Sequence, residues 1–124
     1  MREAEALYSA RLYDGSVYLA GYAVELALKA RIWRLLGLKD YPLELGQVFK
    51  IHNLAHLTVL AGLAVQIDVR KNKDLFENWS KAVKWNPEQR YDAPGKYNAR
   101  TTKVILDSIR EKPNGVLTWL SKRW

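Results

Sequence analysis

The fold of this chain is decided by residues 18–36, which read YLAGYAVELALKARIWRLL. The stretch contains no proline, and most of its residues favour an α-helix. At about 100° per residue, one side of that helix carries Val17, Ala20, Val24, Leu28 and Leu35, and the opposite side carries Leu19, Ala23, Leu26 and Ala30. A helix that is apolar all round, yet interrupted by charges, is typical of the central member of a soluble helical bundle.

The polar residues of this helix lie along one line. Tyr18, Tyr22, Glu25 and Lys29 are spaced i, i+4, i+7 and i+11, and we call these four residues the Glu25 seam. Gly21 lies beside the seam and costs about 1 kcal/mol of helix stability relative to alanine. That cost predicts that another backbone or a ligand approaches the helix closely at Gly21. The Glu25 seam is therefore the first candidate functional site.

Length and composition restrict the class of protein. The 124 residues predict a single domain over residues 1–124, long enough to bury a core. The chain has no cysteine, so disulfides and thiolate metal sites are excluded, and no basic-then-apolar leader opens it; both features favour the cytoplasm. Charges interrupt the longest apolar run, which predicts that no segment spans a membrane. A net charge of +7 either favours a polyanionic partner or simply keeps the protein soluble.

Helix-starting and helix-ending residues divide the rest of the chain. Asp14 and Ser16 predict a turn and an N-cap before the central helix, and Gly37 predicts its end. The β-branched residues 63–69 have no second strand to pair with, so we predict no strand there. Helices are predicted at residues 3–12, 18–36, 53–61 and 98–112, and a further one is capped by Asn72 or Asp74 and ends near Lys84. Loops are predicted at 38–50 and 85–95, and a short terminal helix in 115–124. The sequence therefore predicts an all-α protein, an up-and-down four-helix bundle with one or two extra short helices.

Three landmarks follow one another along the chain. Residues 7–32 read LYSARLYDGSVYLAGYAVELALKARI and contain a G-Y-x-x-E-x-x-x-K core. His52-Asn53-Leu54 comes second, and Trp85-Asn86-Pro87-Glu88 leading into Arg90-Tyr91 comes third. Together they resemble the HEPN family, small helical domains named for nucleotide binding. The first landmark is similar to that family's opening helix pair, the second to its His-Asp-Leu start of the third helix, and the third to its tryptophan and Arg-Tyr pair.

The resemblance implies a helical bundle, often a homodimer, that works beside a minimal nucleotidyltransferase, as in toxin–antitoxin systems. Many members of the family cut RNA with an arginine that a histidine follows about four to six residues later. That pattern is missing here, since the two histidines are His52 and His56 and no histidine follows Arg100. We therefore predict a non-catalytic domain, without a cofactor, that binds a nucleotide or RNA.

The candidate nucleotide- or phosphate-binding residues are Tyr22, Glu25, Lys29, His52, Arg90, Tyr91 and Arg100. Lys29 either forms a structural ion pair with Glu25 or contacts a phosphate while Glu25 holds it in place. His52 either caps its helix or packs near Asn53, or else it faces the Glu25 seam as a hydrogen-bond donor or proton carrier. Arg90 and Tyr91 either grip a base and a phosphate or make a cation–π contact with a tryptophan.

Arg100 belongs to a basic stripe, with Lys96, Lys103 and Arg110 on the same helix face. Such a stripe is either merely solvated or an anion-binding face without base specificity.

Two other functions remain open on sequence grounds. The first is a divergent, metal-independent endoribonuclease in which His52 or His56 is the base and Arg90 or Arg100 supports the phosphate. The second is a homo-oligomeric assembly module without a ligand, anchored through Trp119 and Trp124. We predict no metal site, because two histidines without a paired carboxylate are too few ligands. Glycine-rich phosphate loops and nucleophile elbows are missing from the sequence.

Overall fold

The computed structural model describes residues 1–37 and 50–123, apart from the side chain of Arg90. Its α-helices are α1 (Arg2–Ser9), α2 (Tyr13–Leu35), α3 (Leu54–Leu60), α4 (Lys73–Ala82), α5 (Ala99–Arg110) and α6 (Val116–Ser121). Short 3-10 helices add Ala64–Gln66 and Pro87–Tyr91. The described residues contain no strand, so the all-α prediction is confirmed, including the rejection of a strand at 63–69. Apart from Lys50, the predicted loop at 38–50 lies outside the described residues.

Helix α2 is the centre of the structure, as predicted. It packs against α1, α3, α5 and α6, and Val17, Ala20, Val24 and Leu28 are buried among them. Neighbouring helices cover only part of the circumference of α2, so some of its apolar residues stay at the surface. Leu35 is 53% exposed and Leu26 is 50% exposed, and Ala30 is also on the surface.

The turn before α2 lies earlier than the sequence predicts. Arg11 adopts a left-handed conformation (φ 63°), and Asp14, Gly15 and Ser16 are already helical. Ser16 does not cap a helix; its Oγ donates to the carbonyl oxygen of Ala4 at 2.6 Å and ties α1 to α2. The Asp14 carboxylate also acts over a long range, since it accepts hydrogen bonds from two backbone N–H groups of residues 95 and 97, at 2.8 and 3.0 Å.

Three helices begin at asparagine caps, where the sequence predicts helix starts. The side-chain oxygens of Asn53, Asn72 and Asn98 each accept a hydrogen bond from the backbone N–H three residues later, at 2.9, 3.1 and 2.9 Å. At Asn98 the bond is reciprocal, because the Thr101 hydroxyl accepts from the Asn98 backbone N–H at 3.0 Å. Each such cap contributes about 1 kcal/mol, which explains why these boundaries are readable from local sequence.

The core lies between α2 and the helices that surround it. Its largest fully buried apolar side chains are Leu28, Leu54, Leu57, Leu63, Leu75, Leu106, Ile109 and Leu120. Burying each leucine or isoleucine side chain contributes about 1.5–3 kcal/mol, so this cluster is the main force that holds α2 in the middle. One polar side chain in the middle of α2, Glu25, is buried with them at 1% exposure.

Candidate functional site

Glu25 is the centre of a buried polar cluster. Its Oε1 atom accepts a hydrogen bond from Lys29 Nζ at 2.6 Å and lies 2.6 Å from His52 Nδ1. The three side chains differ in exposure, at 1% for Glu25, 13% for Lys29 and 48% for His52. A buried carboxylate is therefore shared by a mostly buried ammonium and a half-exposed imidazole.

The ion pair predicted between Glu25 and Lys29 is present, with the acid first in the favourable i, i+4 order. This contact is common to both interpretations of Lys29, the structural ion pair and the phosphate contact that Glu25 holds in place. His52 is the more exposed partner of Glu25, at 48% against 13% for Lys29, so it presents more surface to a ligand.

His52 faces the Glu25 seam, as the second sequence interpretation predicted. The capping interpretation is wrong, because Asn53 caps α3. An ionised carboxylate only accepts hydrogen bonds, so Nδ1 of His52 carries the proton in this contact. The ring then offers Nε2 outward, either as a proton acceptor in neutral imidazole or as a donor in imidazolium.

Two buried polar atoms in this region lack a hydrogen-bond partner among the described residues. They are the second carboxylate oxygen of Glu25, Oε2, and the indole nitrogen of Trp85, Nε1. A buried polar group without a partner costs about 1–3 kcal/mol, so each of these two atoms lowers the stability of the folded protein.

The group that approaches Gly21 is the indole of Trp85. A Cβ atom built on Gly21 would lie 2.2 Å from both Cδ1 and Cγ of that ring, far inside van der Waals contact. The Trp85 ring also lies 6.0 Å from the Tyr18 ring and 6.4 Å from the Tyr22 ring, between centroids. The prediction that a backbone or a ligand approaches Gly21 is therefore wrong, because the side chain of Trp85 occupies that space. Its signal in the sequence is the tryptophan of the third landmark.

The structure joins three of the seven candidate residues, Glu25, Lys29 and His52, through the contacts of Glu25. Tyr22 lies on the same helix one turn before Glu25 and is 37% exposed. Tyr91 is 76% exposed at the end of the 3-10 helix Pro87–Tyr91, and Arg100 is exposed in the first turn of α5. The Arg90 side chain lies outside the described residues, so its predicted contact with a tryptophan or phosphate stays a prediction.

Acidic residues neutralise much of the basic stripe, and its first member, Lys96, precedes α5 rather than lying on it as predicted. Lys96 pairs with Asp92 at 3.1 Å, and Lys103 pairs with Asp107 at 2.5 Å. Arg110 also contacts Asp107, at 3.2 Å, and reaches Glu5 on α1 at 3.0 Å. Burial raises the pKa of Asp107, but hydrogen bonds from Lys103 and Arg110 outweigh it and hold that pKa below its usual range. The stripe is therefore mainly a set of structural ion pairs, and Arg100 is its one cation for which the described residues supply no carboxylate.

The tryptophans named as assembly anchors are placed as follows. Trp119 is 6% exposed, and the Arg123 guanidinium lies 3.9 Å from its ring centroid, so this indole is already covered from within the chain. Trp124 lies outside the described residues.

Across residues 1–37 and 50–123, no three histidine, aspartate or glutamate side chains are placed together to hold a metal ion. No described helix combines the length and the apolar character needed to cross a lipid bilayer.

Comparison with known proteins adds no family. No family model, curated protein or solved structure matches this chain. The resemblance to the HEPN family therefore stays a prediction that rests on the three sequence landmarks.

Proposed function

We propose that this chain is a HEPN-like domain that binds the phosphate of a nucleotide or of RNA without cleaving it. The observation that carries the proposal is the half-exposed His52 imidazole held by the buried Glu25 carboxylate. The proposal includes the up-and-down four-helix bundle of that family and, from the cysteine-free sequence, a cytoplasmic location.

The charges of the cluster favour an anion at His52. Lys29 and Glu25 cancel each other, so a protonated His52 leaves the cluster with a net positive charge at its exposed edge. Since Glu25 fixes Nδ1, the outer Nε2–H is oriented to donate a charge-assisted hydrogen bond to a phosphate oxygen. The net charge of +7 would attract a polyanion toward this edge.

Tyr22 would supply the contact to a base. It precedes Glu25 by one helical turn, and its partly exposed ring stacks on Tyr18 with the planes 15° apart. Aromatic stacking on a nucleobase contributes about 1–3 kcal/mol and does not depend on sequence. A base on Tyr22 and a phosphate at His52 would fit one nucleotide, and a longer RNA would extend toward Arg90, Tyr91 and Arg100.

Binding of a short fluorescent RNA, and separately of ATP, at two salt concentrations tests this proposal. His52→Gln should weaken binding about tenfold, because it removes the imidazole that contacts the phosphate. His56→Gln is the matched control, since His56 is the other histidine and is exposed in the first turn of α3. Equal affinities for wild type and His52→Gln would refute the phosphate site, as would an equal loss in both variants.

A second candidate function is RNA cleavage, which one observation favours. A carboxylate that orients a histidine through Nδ1 is also how enzymes position a general base. Neutral Nε2 of His52 could then accept the proton of a ribose 2′-OH. Cleavage of the same RNA, seen on a gel and abolished by His52→Gln but not by His56→Gln, would establish this function in place of simple binding.

The resemblance also supplies the proposed partners, a second copy of the chain and a nucleotidyltransferase. Light scattering on the purified protein tests the homodimer, and co-purification with a nucleotidyltransferase encoded beside it tests the second partner. A monomer that purifies alone would remove both from the proposal.

A further inference from the structure

A cleft lies on the surface between α2, the end of α4 and α5, away from His52. It encloses about 240 Å³. Apolar side chains from the three helices form its walls, among them Val17, Ala82 and Ile109, and Trp85 forms part of its surface. Neither Glu25 nor His52 lines it, so it is distinct from the site proposed above.

The cleft is large enough for a small ring system. An engineered apolar cavity of about 150 Å³ binds benzene, so a cleft of 240 Å³ accepts one or two fused rings. Trp85 and Tyr97 both line it, and aromatic side chains prefer to pack against flat rings in offset or edge-to-face arrangements. The volume and the lining thus favour a planar aromatic ligand over a branched aliphatic one.

Two lysines give the cleft its charge. Lys81, in the last turn of α4, and Lys84, just beyond that helix, both line the cleft and are both exposed. The other two lysines on α4 and α5 have acidic partners, Lys73 with Glu77 and Lys103 with Asp107. Lys81 and Lys84 form no ion pair within the described part of the chain, so both ammonium groups can neutralise an anion at the mouth.

We propose that this cleft binds a small aromatic anion. One or two planar rings lie against Trp85 between α2 and α5, and a carboxylate or phosphate on the ring system contacts Lys81 and Lys84. The apolar walls supply most of the affinity, and the lysines select the charge. This site does not include the Glu25 cluster, so either proposal can be refuted without refuting the other.

Calorimetric titration with 2-naphthoate tests the proposal, with neutral 2-naphthamide as the matched ligand. We expect 2-naphthoate to bind with a Kd of about 1 mM or tighter, and the amide to bind about tenfold more weakly. The double variant Lys81→Met/Lys84→Met should bind the two ligands equally. Lys73→Met, on the same helix but outside the cleft, should keep the wild-type preference.

A second variant tests the cleft by filling it with a larger side chain. Ile105 lines the cleft and is only partly buried, so Ile105→Trp should occupy the space and abolish 2-naphthoate binding while the protein still unfolds cooperatively. Absence of saturable binding to wild type would overturn the proposal, as would unchanged binding to Ile105→Trp or to the double lysine variant.

Adenosine monophosphate, titrated in parallel, distinguishes the two possible anionic groups. If it displaces 2-naphthoate, the cleft takes a nucleoside phosphate; if it does not, the cleft takes an aromatic carboxylate. His52→Gln should leave 2-naphthoate binding unchanged, and its loss in that variant would contradict a separate site.

Discussion

Replacing Gly21 with alanine should destabilise this protein, although alanine is the better helix former. Gly21 is buried in the middle of α2, directly beneath the indole of Trp85. The alanine Cβ would lie 2.2 Å from two ring atoms and 2.4 Å from a third. Because carbon atoms pack at about 3.5–4 Å, the indole would have to move by more than 1 Å.

The size of the effect follows from what surrounds the ring. Trp85 is only 5% exposed and packs against the rings of Tyr18 and Tyr22, so displacing the indole disturbs these contacts as well. Overpacking of this kind costs about 1–3 kcal/mol, and at a clash this deep we take the upper half of that range. The higher helix propensity of alanine relative to glycine offsets about 1 kcal/mol of this cost. The net loss should be about 1–2 kcal/mol, or about 4–8 °C in Tm.

Urea and thermal unfolding followed by circular dichroism measure this loss. Gly15→Ala is the matched control, because Gly15 lies in the same helix and its Cβ would meet only the flexible tip of Leu7, at 3.3 Å. That variant should be neutral, or more stable by up to about 1 kcal/mol.

A double-mutant cycle isolates the contact with the indole. In a Trp85→Leu background the clash is relieved, so Gly21→Ala should stabilise by about 0.5–1 kcal/mol instead of destabilising. A Gly21→Ala protein as stable as wild type would refute the reasoning. Equal losses in the two backgrounds would show that Trp85 is not the cause.

Three further predictions concern charged groups. Glu25→Gln should cost about 2–4 kcal/mol in urea unfolding, because it removes the carboxylate from a buried pair, whereas the exposed Glu77→Gln should change stability by less than about 0.5 kcal/mol. The pKa of Asp107 lies below its usual range, since hydrogen bonds from its cationic partners outweigh the effect of burial, so its stabilising contribution is present at neutral pH and is lost as the pH falls below about 4. Asp107→Asn should therefore be less stable than wild type at neutral pH and equally stable in strong acid. A difference in the free energy of unfolding that stays the same at every pH would contradict this. Asp14→Ala should cost about 1–2 kcal/mol by thermal unfolding, because two backbone N–H groups lose their acceptor, and an unchanged Tm would show that both bonds are dispensable.

Local sequence was enough to predict the helices and, within the candidate site, the pair between Glu25 and Lys29. The asparagine caps act on a backbone group three residues away, and the Glu25–Lys29 pair spans one helical turn. Such contacts depend only on the geometry of a single helix, which is the same in every protein. The left-handed turn at Arg11 escaped prediction, because Asp14, Gly15 and Ser16 look like turn residues but lie in α2, where the Asp14 and Ser16 side chains bond to other elements.

Only the tertiary structure decided which distant residues meet. His52 reaches Glu25 across 27 positions of sequence, and Trp85 covers Gly21 from a different part of the chain. The sequence by itself predicted a backbone or a ligand at Gly21, where the structure has a side chain, and it left open whether His52 capped its helix or faced the Glu25 seam. Periodicity also could not show which side of α2 stays exposed, because an apolar side chain such as Leu26 is compatible with either environment. Those choices depend on how neighbouring helices pack around α2, and that arrangement is set by the whole core at once rather than by any single stretch of sequence.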